Sequence, residues 1–169
     1  ARVLAARGLD ARVDDSWGVD HGVWSVLVHV FPKADVPVVQ LSVNRFLDAA
    51  ASYEAGRKLA FLRDEGYLIL ASGNVVHNLR RVDWNNPAGT PEADAFDEWI
   101  RAQVEARRDD AVIDFRRHGD AAYAVPSPDH FLPLLYALGA SAGEKPCAFN
   151  AVRTLAAISM TSYAFGVDV

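Results

Sequence analysis

The run "GVWSVLVHVFP", residues 22 to 32, is apolar at nearly every position and closes on Pro32. Its length suits a buried helix, with a strand as the alternative. Upstream, "ARVLAARGLDARV" reads as the end of a helix, a stop at Gly8 and a short extended piece. "VPVVQLSV", residues 36 to 43, is β-branched and apolar on both faces, the pattern of a strand covered on two sides. In "LDAAASYEAGRKLAFLRDEG", residues 47 to 66, Tyr53, Leu59 and Leu62 recur at helical spacing and Gly66 is a C-terminal stop. "YLILAS", residues 67 to 72, is again a doubly buried strand. Residues 36 to 72 therefore predict a strand–helix–strand unit, which favours a parallel pair with a right-handed crossover.

Beyond the polar loop "RVDWNNPAGTP", Thr90, Pro91 and Glu92 supply a hydroxyl cap, a first-turn proline and an early acid, so a helix starts there. Its pattern continues through Trp99, Val104, Val112 and Phe115 to Gly119, with a break near Arg108. "PSPDHFLPLLYALGA", residues 126 to 140, is a turn followed by an apolar helix ending at Gly139. The stretch from 153 to 167 alternates loosely and reads as a strand, antiparallel to its neighbour. The fold class is α/β: a single domain, 1–169, with a mixed, mostly parallel sheet flanked by helices.

Composition narrows the picture. Residues are 51% hydrophobic and 23% charged, enough to fill a core, which excludes disorder as an overall reading. The formal net charge is -5 and Lys/Arg pairs are interrupted by acids, so a nucleic-acid-binding face is not expected. The lone cysteine, Cys147, excludes an internal disulfide and a Cys-rich zinc site, and fits a cytoplasmic protein. No apolar run reaches the roughly 20 residues of a bilayer span. The sequence opens at Ala1 directly in a helical pattern, which suggests a fragment of a longer chain.

Candidate chemistry rests on five histidines, none paired at the spacing of a helical metal motif. His118, in "FRRHGD", reads as a helix-end residue and His29, in "WSVLVHVFP", as a core or edge residue. His77 follows the 67–72 run at its C-terminal end, the edge where open α/β sheets bind ligands. Ser72, Gly73 and Asn74 before it let a substrate or backbone approach closely. A structural histidine is the alternative there. His130 opens an apolar helix after "PSPD", with Asp129 or Ser127 available as cap. The positive end of the helix dipole disfavours imidazolium, and a neutral imidazole is what a metal takes as ligand. A polar helix start is the plainer reading. His21 sits in "WGVDHGVW", with Asp20 able to orient its ring or to cap the next helix.

Four blocks, "GVDHGVWSVL", "DVPVVQLSV", "GRKLAFLRDEGYLILASGNVVHNLR" and "PSPDHFLPLLYALGA", together resemble the class III extradiol ring-cleavage dioxygenases, in the 4,5-DOPA dioxygenase branch. The resemblance runs from about Trp17 to the C-terminus, and the Ser-Gly-Asn-x-x-His-Asn-Leu block is its most specific part. It implies a non-haem metal enzyme that opens the ring of a DOPA-like catechol with O2, using Fe(II) or alternatively Zn(II) at the C-terminal edge of the sheet. His130 stands at the family's third metal-ligand position, with Asp129 as the less favoured carboxylate. His77 matches the acid/base residue and, in DOPA-type members, is also given as a metal ligand. His21 matches a histidine beside the active site. The family's first two metal histidines lie in an N-terminal third with no counterpart here, so the resemblance also implies that this portion is missing.

Catechol chemistry explains the residue types. A catechol must lose protons before both oxygens can chelate a metal, and a histidine tuned near neutral pH performs that transfer. On this reading His77 carries the proton and His21 steadies the substrate or oxygen species. Asn78 orients a loop or bonds the substrate, and Trp24, with Trp17, walls the ring pocket or belongs to the core. Two rivals stand beside it: a non-catalytic small-molecule-binding α/β module without a complete metal site, and a zinc-dependent hydrolase-like α/β protein.

Overall fold

A computed structural model describes residues 1–167. They fall into two compact units, one of residues 1–44 and one beginning at Arg45. In the first, α1 (Arg2–Ala6) ends before Gly8, whose φ is 73°, as the glycine stop predicts. Helix α2 (His21–Val30) starts on Asp20, which accepts a hydrogen bond from the Gly22 N–H at 2.8 Å. The helix is the expected one, but none of its residues is buried. His29, expected in a core or at an edge, is exposed in its last turn.

The second unit is built around α3 (Ala49–Leu59), α5 (Pro91–Glu105) and α8 (Leu132–Ala140). Asp48 caps α3 through the Ala51 N–H at 2.8 Å, and Thr90 caps α5 through that of Ala93 at 3.4 Å. Short helices α4 (Phe61–Asp64), α6 (Asp109–Ile113) and α7 (Ala121–Ala124) fill in between, with a 3-10 turn at Phe115–Arg117. Phe96, Ile100 and Val104 of α5 pack with Phe115, Phe131 and Leu135 into the core. Helices α3 and α8 cross at glycines: a Cβ on Gly56 would lie 2.2 Å from the Tyr136 carbonyl oxygen, and one on Gly139 2.2 Å from that of Tyr53.

The break expected near Arg108 falls one residue earlier. Arg107 takes a left-handed φ of 53°, while the N–H groups of Arg107 and Arg108 donate to the carbonyls of Val104 and Gln103. This is the Schellman closure, with arginine where glycine is usual. The Arg107 guanidinium offsets the strain by binding Asp109 Oδ2 and Ser141 Oγ, both at 2.7 Å, and the Glu144 carbonyl at 3.1 Å.

Strands are few. β1 (Pro146–Phe149) pairs antiparallel with β4 (Ser162–Phe165), and β2 (Arg153–Thr154) with β3 (Ile158–Ser159). The pairing within 153–167 is antiparallel as expected, but the stretch is three short strands, β2, β3 and β4, in two sheets and not one strand; the mostly parallel sheet is not found among the described residues. Neither 36–43 nor 67–72 forms a ladder there. Doubly apolar patterning signals how a strand is covered but not which segment covers it. Val39 is 87% exposed and Leu68 71%. An apolar segment left uncovered in this way favours self-association. The 169-residue chain alone is thus expected to self-associate with rising concentration in sedimentation velocity, and Leu68→Lys to weaken that association. A chain that stays monomeric throughout would contradict this. No described helix is long and apolar enough to cross a membrane.

Candidate active site

The turn after residue 72 is held from several directions. Val75 and Val76 are buried and anchor it in the core. The Asn74 N–H donates to the His130 carbonyl at 2.8 Å, and the His77 N–H to that of Ala124 at 2.9 Å. Gly73 permits the approach: a Cβ there would stand 2.2 Å from the His130 carbonyl oxygen. The glycine thus admits a neighbouring backbone, one of the two uses its small size suggested.

These contacts bring together two histidines far apart in sequence. The rings of His77 and His130 stack, with centroids 3.6 Å apart and planes inclined by 17°. His130 lies in the turn just before α8, where its Nε2 is 3.6 Å from Asp129 Oδ2 and its side chain is 40% exposed. Neither Asp129 nor Ser127 caps the helix, because the N-cap position falls to Phe131, which makes no side-chain cap bond. Asp129 is engaged otherwise: the Ser127 hydroxyl holds its carboxyl below the usual range.

His77 is shifted below the ordinary histidine value of 6.5, first by burial and then by the neighbouring His130, with Asp129 opposing. It is therefore a neutral base near pH 7. In a proton NMR titration its imidazole is expected to titrate below 6.5. Because the folded value is depressed, its contribution to stability is present above the ordinary value and is lost as pH falls through the depressed one. A His77 midpoint at or above the ordinary value would contradict the packing.

The other candidates lie in different settings. Asn78 is buried and both ends of its amide serve the fold: Nδ2 donates to the Tyr123 carbonyl at 2.6 Å, and Oδ1 accepts from the Arg80 N–H at 3.2 Å. Of its two expected roles, these contacts are those of a loop holder. His21 and Trp24 belong to the 1–44 unit. The His21 ring is 85% exposed at the start of α2, with Nδ1 3.6 Å from Asp20 Oδ1, so Asp20 lies beside the ring while also capping the helix. Trp24 and Trp17 are both exposed. His118 follows the 3-10 turn, where Nδ1 accepts from the Asp120 N–H at 3.2 Å and the ring lies near Phe96 and Trp99.

A divalent ion in a protein cage takes three or more donors. Among the described residues, no group of three or more His, Cys, Asp or Glu side chains could hold one. Two stacked imidazoles do not by themselves make a cage.

One group that the apolar patterning did not bring forward is Asp97. It lies four residues after Ala93 on the apolar stripe of α5, and an acid on such a stripe is the signal that marks it. Its carboxylate binds the hydroxyls of Ser159 and Thr161, both buried.

Residues 1–166 match the family described as the catalytic LigB subunit of aromatic ring-opening dioxygenase. The chain is 44% identical over 136 residues to the 4,5-DOPA dioxygenase extradiol of Escherichia coli (strain K12), covering 78% of this chain and 50% of that one. To the 4,5-DOPA dioxygenase extradiol of Beta vulgaris it is 38% identical over 144 residues, covering 84% and 53%. A crystal structure of an uncharacterized protein from Escherichia coli K12 superposes with a TM-score of 0.86 at 37% identity, over 96% of this chain and 70% of that one. The chain spans about half the length of the curated relatives it matches. Its match over residues 1–166 and its likeness to that structure place it plainly: the chain belongs to the LigB family of aromatic ring-opening dioxygenase catalytic subunits.

Proposed function

We propose that this chain is the portion of an extradiol ring-cleaving dioxygenase that carries its proton-transfer histidine. The substrate class is a DOPA-like catechol, opened with O2. The observation that carries this reading is the stacked pair: His77, held neutral by burial, lies 3.6 Å from the ring of His130. A neutral imidazole can take a phenolic proton from a bound catechol and later return it to a developing oxyanion, and burial keeps it ready as a base at neutral pH. His130 is this chain's candidate metal ligand, and metal ligation by His77 is the alternative to its proton-transfer role; the implied ion is Fe(II), with Zn(II) as the alternative. When bound, such an ion would supply Lewis acidity toward the catechol oxygens. Asn78 fixes the main chain behind His77; His21 and Trp24 stay candidates for the substrate through the family resemblance alone.

The test uses a protein of full family length that carries residues 1–169. Loaded anaerobically with Fe(II) and given DOPA and then O2, it is expected to form a yellow ring-opened product. Absence of both product and bound metal in that protein would overturn the reading in favour of a non-catalytic small-molecule-binding module.

A further inference from the structure

We propose that Asp97 is a positioning residue for the histidine pair, acting through Ser159 and Asn74. The carboxylate is 1% exposed, in the middle of α5. Oδ1 accepts from the Ser159 hydroxyl at 2.6 Å and Oδ2 from the Thr161 hydroxyl at 2.7 Å, with Arg153 Nη1 at 3.5 Å. A buried carboxylate is costly unless its donors are well placed, so this set fixes where Ser159 sits.

Ser159 then commits both of its backbone groups to the turn that bears His77. Its N–H donates to the Val76 carbonyl at 3.0 Å, and its carbonyl accepts from Asn74 Nδ2 at 2.7 Å. The Asn74 N–H in turn holds the His130 carbonyl. One hydrogen-bonded path therefore runs from a carboxylate inside the helical core to the main chain at both imidazoles. The Asn78 N–H donates to the Ala157 carbonyl at 3.1 Å and, with the Ser159–Val76 bond, completes an antiparallel bridge between His77 and Ile158, while the His77 N–H holds Ala124. Asp97 acts on this bridge, and on Asn74 beside it, through Ser159. Thr161 shares the carboxylate, but its own N–H donates back to the Ser159 hydroxyl at 3.1 Å and not to the turn. It therefore separates positioning from stability.

The consequence for ring opening rests on the function proposed above; the placement of the rings does not. The experiment records the inter-ring nuclear Overhauser effect between His77 and His130, and their ring-current shifts, in the 169-residue chain. Asp97→Asn and Ser159→Ala are expected to lose the inter-ring effect while far-UV circular dichroism and cooperative unfolding persist. Asn74→Ala should lose it too. Thr161→Val should lower stability but keep the effect. An inter-ring effect that survives in folded Ser159→Ala and Asn74→Ala overturns the proposal, as does its equal loss in Thr161→Val. If Asp97→Asn does not fold, the Ser159 and Asn74 variants carry the decision alone. No catechol or metal enters the measurement, so its outcome is independent of whether ring cleavage is found.

Discussion

Replacing His77 with alanine is expected to lower kcat/KM for catechol ring opening by roughly 100- to 10,000-fold, the range typical of a lost general acid–base group. The measurement belongs in the family-length protein, with oxygen consumption and product absorbance followed together. The fold should survive, because the bonds that place residue 77 are made by its main chain to Ala124 and by its neighbours, not by the imidazole. His77→Gln sharpens the test. Glutamine keeps hydrogen-bonding atoms in the same place but cannot carry a proton near neutral pH, so it should be as slow as alanine. Turnover that stays within a factor of two in both variants would remove His77 from the mechanism.

The second large effect lies away from the chemistry. Gly139→Ala places a methyl group 2.2 Å from the Tyr53 carbonyl oxygen, and Gly56→Ala does the same against Tyr136. Both obstacles are backbone atoms, so the strain cannot be relieved by turning a side chain. Overpacking of this kind costs about 1–3 kcal/mol per site, a large part of a total stability of about 5–15 kcal/mol. Urea unfolding of each single variant and of the double variant is the check. Because the two glycines face the same helix crossing, the double variant should lose less than the summed single losses: once α3 and α8 have been pushed apart, the second methyl meets less resistance. Unchanged midpoints would show that the helices separate freely and do not depend on the close approach.

Much of the helical part of this fold is legible in the chain. The Thr90-Pro91-Glu92 start of α5, the Gly66 stop and the apolar run of α8 each carry a local physical signal, and local signals survive whatever the rest of the chain does. The 36–43 and 67–72 runs failed as strands for the opposite reason, since a ladder needs a second segment and apolar patterning does not name one. At the site, the small residues ahead of His77 foretold a close approach, and Gly73 meets a backbone there. What brought His77 and His130 forward together was family resemblance, not spacing, because no periodicity links residues so far apart along the chain. Asp97 escaped notice because an acid inside a helix is ordinarily read as part of a solvated face. Its position on an otherwise apolar stripe is the clue that outweighs that habit.

The bond between Asn74 and Ser159 spans 85 positions of the chain. Contacts so distant in sequence form late, since the loop must close before they return any stabilisation. During synthesis the two imidazoles therefore have no complete support until the segment containing Ser159 has left the ribosome. A half-made chain should therefore hold the two imidazoles through Ala124 and the Asn74 N–H alone, without the brace that Ser159 adds.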